Sequence, residues 1–187
     1  KRARQPHHIE VWAEASGMLP QLYRIAEPYS IPVYSSGGFD SLTAKKRLAD
    51  RICNGGKPTV VLHLGDFDPS GEAIFTSVAE DVAAFVEADR PWATINVRFV
   101  RVALTAQQVK EHNLPTAPAK ATDTRSTKWD GGTCQLEALP PNVIADILLD
   151  AILDHLDFDQ LEADRGLEDV ERRRIAGALP APGSERR

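Results

Sequence analysis

Polar and apolar residues alternate along Ile9–Glu14 (IEVWAE), the period-two pattern of a strand. Met18, Leu19, Leu22, Ile25 and Ala26 then recur at helical spacing. Ile31–Ser36 (IPVYSS) predicts a second short strand that runs into Gly37-Gly38. A helix is expected from Asp40 or Ser41, with Leu42, Leu48, Ala49 and Ile52 on one face and Gly55-Gly56 as its stop. Thr59–Gly65 (TVVLHLG) is β-branched and almost wholly apolar, the composition of a central strand covered on both faces. Ser70 reads as the cap of a long helix carrying Ile74, Val78, Val82, Phe85 and Val86. Thr94–Leu104 predicts a fourth strand, and Thr105 with Gln108 a capping box for a short helix to His112.

Strand and helix thus alternate four times, which predicts an α/β fold: a mainly parallel sheet, Rossmann-like, with helices on both faces. Leu114–Gly132 reads as a long loop, and Thr133–Pro141 (TCQLEALPP) leads into a helix from Pro141 to about His155. The expected organisation is a flexible basic lead-in over residues 1–8 and one domain over 9–156. A C-terminal helical segment over 157–178 follows, either peripheral or a partner-binding arm, then a disordered tail over 179–187. There is no internal repeat.

Composition changes this picture little. The 187 residues are 42% hydrophobic and 26% charged, enough for a real core. No run approaches the roughly 18 apolar residues of a membrane span, and no signal-peptide pattern is present. The expectation is therefore a soluble, cytoplasmic protein with no membrane partner. Cys53 and Cys134 are too few for a disulfide framework or a zinc site. A net charge of −5 excludes nucleic-acid binding by bulk charge but not by a local basic groove. The sequence begins at Lys1 rather than Met, so further chain is expected before it.

The candidate chemistry lies where the most apolar strand runs out, in LGDFDPSG. Asp66 and Asp68 fall on the same side of an extended chain, where open α/β sheets bind ligands. Two carboxylates without neutralisation, and Glu14 at the end of the first strand, offer hard oxygens that suit Mg²⁺. Pro69-Ser70-Gly71 opens a helix whose free N–H groups favour phosphate, which makes Ser70 and Gly71 candidate phosphate contacts. The same residues would equally serve as a turn and a helix cap.

D-x-D-P-x-G with an upstream strand-terminal Glu resembles the Toprim domain shared by topoisomerases, bacterial primases and OLD-type nucleases. The likeness is greatest to the A subunit of topoisomerase VI and its meiotic double-strand-break relative. Glu14 matches the family's acid, Asp66, Asp68, Pro69 and Gly71 its motif, and Ser35–Ser41 (SSGGFDS) its intervening turn. The resemblance runs from about Ile9 to Pro141. It departs at Glu14-Ala15, where the family often has Glu-Lys, and at Ser36-Gly37, where the turn usually carries Lys.

The resemblance implies Mg²⁺ (or Mn²⁺) held by Glu14, Asp66 and Asp68, and cleavage or transesterification of DNA phosphodiesters. The family's nucleophilic tyrosine sits on an upstream winged-helix domain or second subunit, and a homodimer is a further candidate assembly. Tyr23, Tyr29 and Tyr34 lie within the Toprim-like part and are read as packing. Alternatives stay open: a non-catalytic metal- and DNA-binding module, or a phosphohydrolase with an aspartyl nucleophile.

Lys120, Arg125 and Lys128, with Trp129, suit a DNA-contacting flap, or simply a solvated loop. Glu137 is a candidate further acid at the end of a last strand. Lys45, Lys46, Arg47 and Arg51 read as a solvated helix face, and His63 as a satisfied core residue.

Overall fold

The computed structural model describes residues 4–35, 41–92, 96–119, 129 and 131–178. Four strands, β1 (His8–Ala13), β2 (Val33–Ser35), β3 (Thr59–Leu64) and β4 (Val97–Ala103), form one all-parallel sheet in the order β2-β1-β3-β4. The helices are α1 (Leu19–Ala26), α2 (Leu42–Gly55), α3 (Pro69–Asp89), α4 (Ala106–Glu111), α5 (Pro141–Leu153) and α6 (Phe158–Ala178). The expected α/β alternation is therefore the observed one.

Both sheet faces are covered, so β3 is buried at all six positions and needs no polar alternation. Ile9, Val11, Leu62, Leu64 and Val102 face α1 and α5, joined by Leu22, Ile144, Leu148 and Ile152. Trp12, Val61 and Phe99 face α2 and α3, against Leu48, Ile52, Val78 and Val82. α2 begins at Ser41, whose side chain accepts from the Ala44 amide, and ends at Gly56 in the left-handed region (φ 60°). The capping box of Thr105 and Gln108 is present at α4.

Three readings change. Thr133–Pro141 contains no strand among its described residues: Cys134 makes one antiparallel bridge to Phe67, and Leu136–Ala138 is a 3₁₀ turn. Glu137 is exposed on that turn rather than ending a strand. Gln5, read as part of a flexible lead-in, is 2% exposed; its side chain donates to the Asp157 carbonyl and accepts from the Asp157 amide, both at 2.9 Å.

Of the helix cations only Arg47 is exposed as read; the other three are paired. Lys45 is buried and pairs with Asp81 at 2.5 Å, and Lys46 bridges Asp50 and Asp89. Arg51 meets Glu10 through two hydrogen bonds, Nε to Oε1 at 3.0 Å and Nη2 to Oε2 at 2.9 Å, and its guanidinium lies 4.6 Å from the Tyr34 ring centre. Glu10 is fully buried on the face of the sheet that carries Trp12 and Glu14, and Trp12 Nε1 donates to it at 3.0 Å. Sequence reading passed over Glu10; the signal was its parity with Trp12 in a strand covered on both sides.

Candidate functional site

β1 and β3 are neighbours in parallel register, Ala13 beside Leu64, so their C-terminal ends lie in one layer. From β1 the chain crosses to β2 at one edge, and from β3 to β4 at the other. The gap between β1 and β3 is thus the switch point of the sheet, where open α/β folds place their ligands. Glu14 follows the last residue of β1, and Asp66 and Asp68 follow β3.

Glu14 and Asp66 are joined by a hydrogen bond, while Asp68 is held at the start of α3. The Glu14 amide donates to the Leu64 carbonyl at 2.9 Å, and its carboxylate Oε2 accepts from the Asp66 amide at 3.2 Å. Asp66 Oδ1 accepts from the Leu136 amide at 2.9 Å, drawing the turn before α5 across the strand ends. Asp68 Oδ1 accepts from the Gly71 amide at 2.6 Å and is the N-cap of α3. Among the described residues each carboxylate gives one oxygen to a backbone amide.

Asp68, then, is the cap, and Ser70, read as the cap, stands inside the first helical turn. The cap also takes the Gly71 amide, so the phosphate site read at Ser70 and Gly71 loses that donor. Asp68→Ala is expected to cost about 1 kcal/mol as a lost cap, whereas Asn caps as well as Asp. Urea denaturation of Asp68→Asn should therefore match wild type, and Asp68→Ala should fall below both.

Glycines make the seat for Glu14. A Cβ at Gly65 would stand 2.5 Å from Glu14 Oε2 and 2.8 Å from His63 Cε1; one at Gly71 would stand 2.9 Å from the Asp66 carbonyl. Gly71, matched to the family motif only by identity, has here a steric reason.

Beneath the acids lies a cation that sequence reading missed. The Arg101 side chain is 9% exposed; its Nη2 donates to the Asp66 carbonyl, its Nε to the Leu104 carbonyl at 3.2 Å, and it pairs with Glu72 at 3.2 Å. The acids are consequently not without a neighbouring positive charge, as the sequence implied. The signal was parity: Arg101 shares a strand face with Val97 and Phe99, so an arginine there points inward.

Burial raises the Glu14 carboxyl above its usual range, and the charges of Asp66 and Asp68 add to this against the Asp66 amide and Arg101. Burial likewise raises Asp66, with Glu137 and Asp68 adding to it against the Leu136 amide and Arg101. Glu137 thus acts on Asp66 electrostatically. Both shifts mean that the ionised carboxylates are penalised in the folded state, with Arg101 offsetting only part of the cost.

Among the described residues no group of three or more His, Cys, Asp or Glu side chains stands close enough to enclose a metal ion. The donor set still fits Mg²⁺, which takes one or two carboxylates and keeps waters elsewhere. Phe67, between the two aspartates, packs its ring 4.7 Å from that of Trp129, whose Nε1 donates to the Gly132 carbonyl at 3.4 Å. Lys120, Arg125 and Lys128, and the turn residues Ser36–Asp40, lie outside the described residues.

His63 is buried on β3, and its Nδ1 has no hydrogen-bond partner among the described residues, contrary to a satisfied core histidine. Burial, with the charge of Arg101, lowers it to about 3. The folded protein keeps His63 neutral while the unfolded chain protonates near pH 6.5, so its contribution is complete above 6.5 and is lost as pH falls toward 3. His63→Gln should flatten the pH dependence of stability between pH 6.5 and 4 relative to wild type, read by urea denaturation across that range.

Tyr29 packs against the core and Tyr34 against Trp12 (5.1 Å), as read, but Tyr23 is 56% exposed on α1. No protein-family model matches the chain, and no curated protein gives a match. No helix among the described residues is long and apolar enough to cross a membrane.

Proposed function

We propose that this chain is a Toprim-like domain acting on DNA phosphodiesters with Mg²⁺ or Mn²⁺. The reading rests on one observation: Glu14, from the end of β1, reaches over the sheet's switch point and accepts from the amide of Asp66. The motif likeness, Glu14 with Asp66-x-Asp68-Pro69-x-Gly71, selects the family within the α/β class.

Glu14, Asp66 and Asp68 would hold the metal through the oxygens turned away from their amide partners. When bound, the ion would stabilise charge on the phosphate and the leaving oxygen. The half-buried Glu14, with its raised pKa, suits proton transfer at its free oxygen. Lys120, Arg125 and Lys128 would meet the DNA backbone. A chain acting alone would use water as nucleophile and leave a nick; with a winged-helix domain or second subunit it would serve that domain's tyrosine.

A second reading is a non-catalytic metal- and DNA-binding module, favoured by the structural bond that every one of the three acids already makes. Incubation with supercoiled plasmid and Mg²⁺, alongside calorimetry of Mg²⁺ binding, separates the two. Nicking supports the first; metal binding without nicking, the second; neither overturns both.

A further inference from the structure

Helix α6 runs on past the body of the molecule. Its first turns are anchored: Leu161 is buried, and Asp164 accepts from Arg4 Nε at 2.7 Å and from Gln160 at 3.0 Å. Beyond Asp164, every residue to Ala178 except Glu168 is exposed. A free helix of about 14 residues is marginal by itself. This one also carries Gly166 and Gly177, which weaken a helix relative to Ala. The chain's own packing does not require them, since a Cβ at either would meet nothing within 4 Å.

The glycines fall on one line. Ala163, Gly166, Leu167, Val170, Arg174 and Gly177 follow helical spacing and share a face turned away from Leu161 and Asp164. Leu167 and Val170, at its centre, are 54% and 58% exposed. Small residues flanking two large apolar ones permit the close approach of another helix.

Charge identifies the occupant. Asp159, Glu162, Asp164, Glu168, Asp169 and Glu171 outweigh Arg165 and make the first two-thirds of α6 acidic, and Arg172, Arg173 and Arg174 make its end basic. This polarity makes the helix complementary to a reversed copy of itself, which a twofold axis supplies.

We propose that a second copy of the chain docks here, its α6 antiparallel to the first about an axis between Leu167 and Val170. Leu167 then meets Val170 of the partner subunit, and Arg173 and Arg174 lie beside its acidic first turns. The pairing does not depend on the DNA reading. It is modest in area, below the roughly 1,200 Å² of stable interfaces, so association is weak and salt-sensitive.

Sedimentation equilibrium of the full chain, from micromolar to millimolar concentration, tests it. Wild type should show a monomer–dimer equilibrium that shifts toward monomer in high salt. Leu167→Glu/Val170→Glu should be monomeric throughout, with its main melting transition unchanged because these side chains are exposed. Arg172→Glu/Arg173→Glu/Arg174→Glu should also be monomeric, and should associate again when mixed with Asp159→Lys/Glu162→Lys. A wild type that stays monomeric, including one captured only by a different protein, overturns the proposal. So does a dimer that survives Leu167→Glu/Val170→Glu, or a charge-reversed mixture that fails to associate.

Discussion

Glu14→Gln and Asp66→Asn are each expected to abolish Mg²⁺-dependent nicking of supercoiled plasmid while leaving the fold intact. Both changes remove a charge and preserve shape and an oxygen acceptor. In Glu14→Gln the side-chain carbonyl can still accept from the Asp66 amide, and in Asp66→Asn it can still accept from the Leu136 amide. The activity lost should be about a hundredfold or more, the scale of removing one element of charge stabilisation in a transition state.

Stability should move the other way without metal. Both acids have raised carboxyl pKa values, so their ionised forms are penalised in the folded state, increasingly as pH rises through those values. Neutralising either removes that penalty, and melting in EDTA at pH 7 should be equal to or above wild type. Wild type, but neither variant, should gain stability on adding Mg²⁺. If wild type nicks plasmid and Asp66→Asn nicks it equally well, the acids are not the active centre.

The largest loss of stability is expected away from that centre, at Arg51→Met. The change leaves Glu10 fully buried without its cation, and breaking a buried pair from one side costs about 3–5 kcal/mol. Glu10→Leu/Arg51→Met, which removes both charges, should recover most of it. The pair also has a pH signature. Burial raises the Glu10 carboxyl, but hydrogen bonds from His8, Arg51 and Trp12 and the charge of Arg51 outweigh it, lowering it to about 2. Its contribution is therefore present above about pH 4.5 and is lost as pH falls toward 2. Guanidinium denaturation at pH 7 and at pH 3 should show the gap between wild type and Arg51→Met narrowing in acid.

The strands, the helix faces and the Thr105 capping box were legible because each is a local matter of period or spacing. Which residue caps α3 was less so: Asp68 and Ser70 are both good caps, and Pro69 at the first helical position favours the residue before it. Arg51 and Lys45 were misread because a helix packed on a sheet and on another helix buries more than one apolar stripe. Their partners, Glu10 and Asp81, are 41 and 36 residues away, beyond any local pattern. Arg101 was hidden likewise, since its bonds go to carbonyls of Asp66 and Leu104 that no side-chain motif records. Glu14 and Asp66 were found as acids, but the amide that joins them is a property of register between β1 and β3.

The bare Cα of Gly65 makes the seat of the Glu14 carboxylate depend on a residue with no side chain of its own. A methyl group there would stand 2.5 Å from Glu14 Oε2, 2.8 Å from the buried His63 ring and 3.4 Å from Glu14 Cβ. The half-buried Glu14 carboxylate is the group freest to yield. The chain would keep its net charge, its strand and its Asp68 cap, yet the carboxylate at the switch point would be turned out of its seat. A screen that scored only solubility and expression would pass such a protein as sound, and its silence would be traced to a residue with no chemistry of its own.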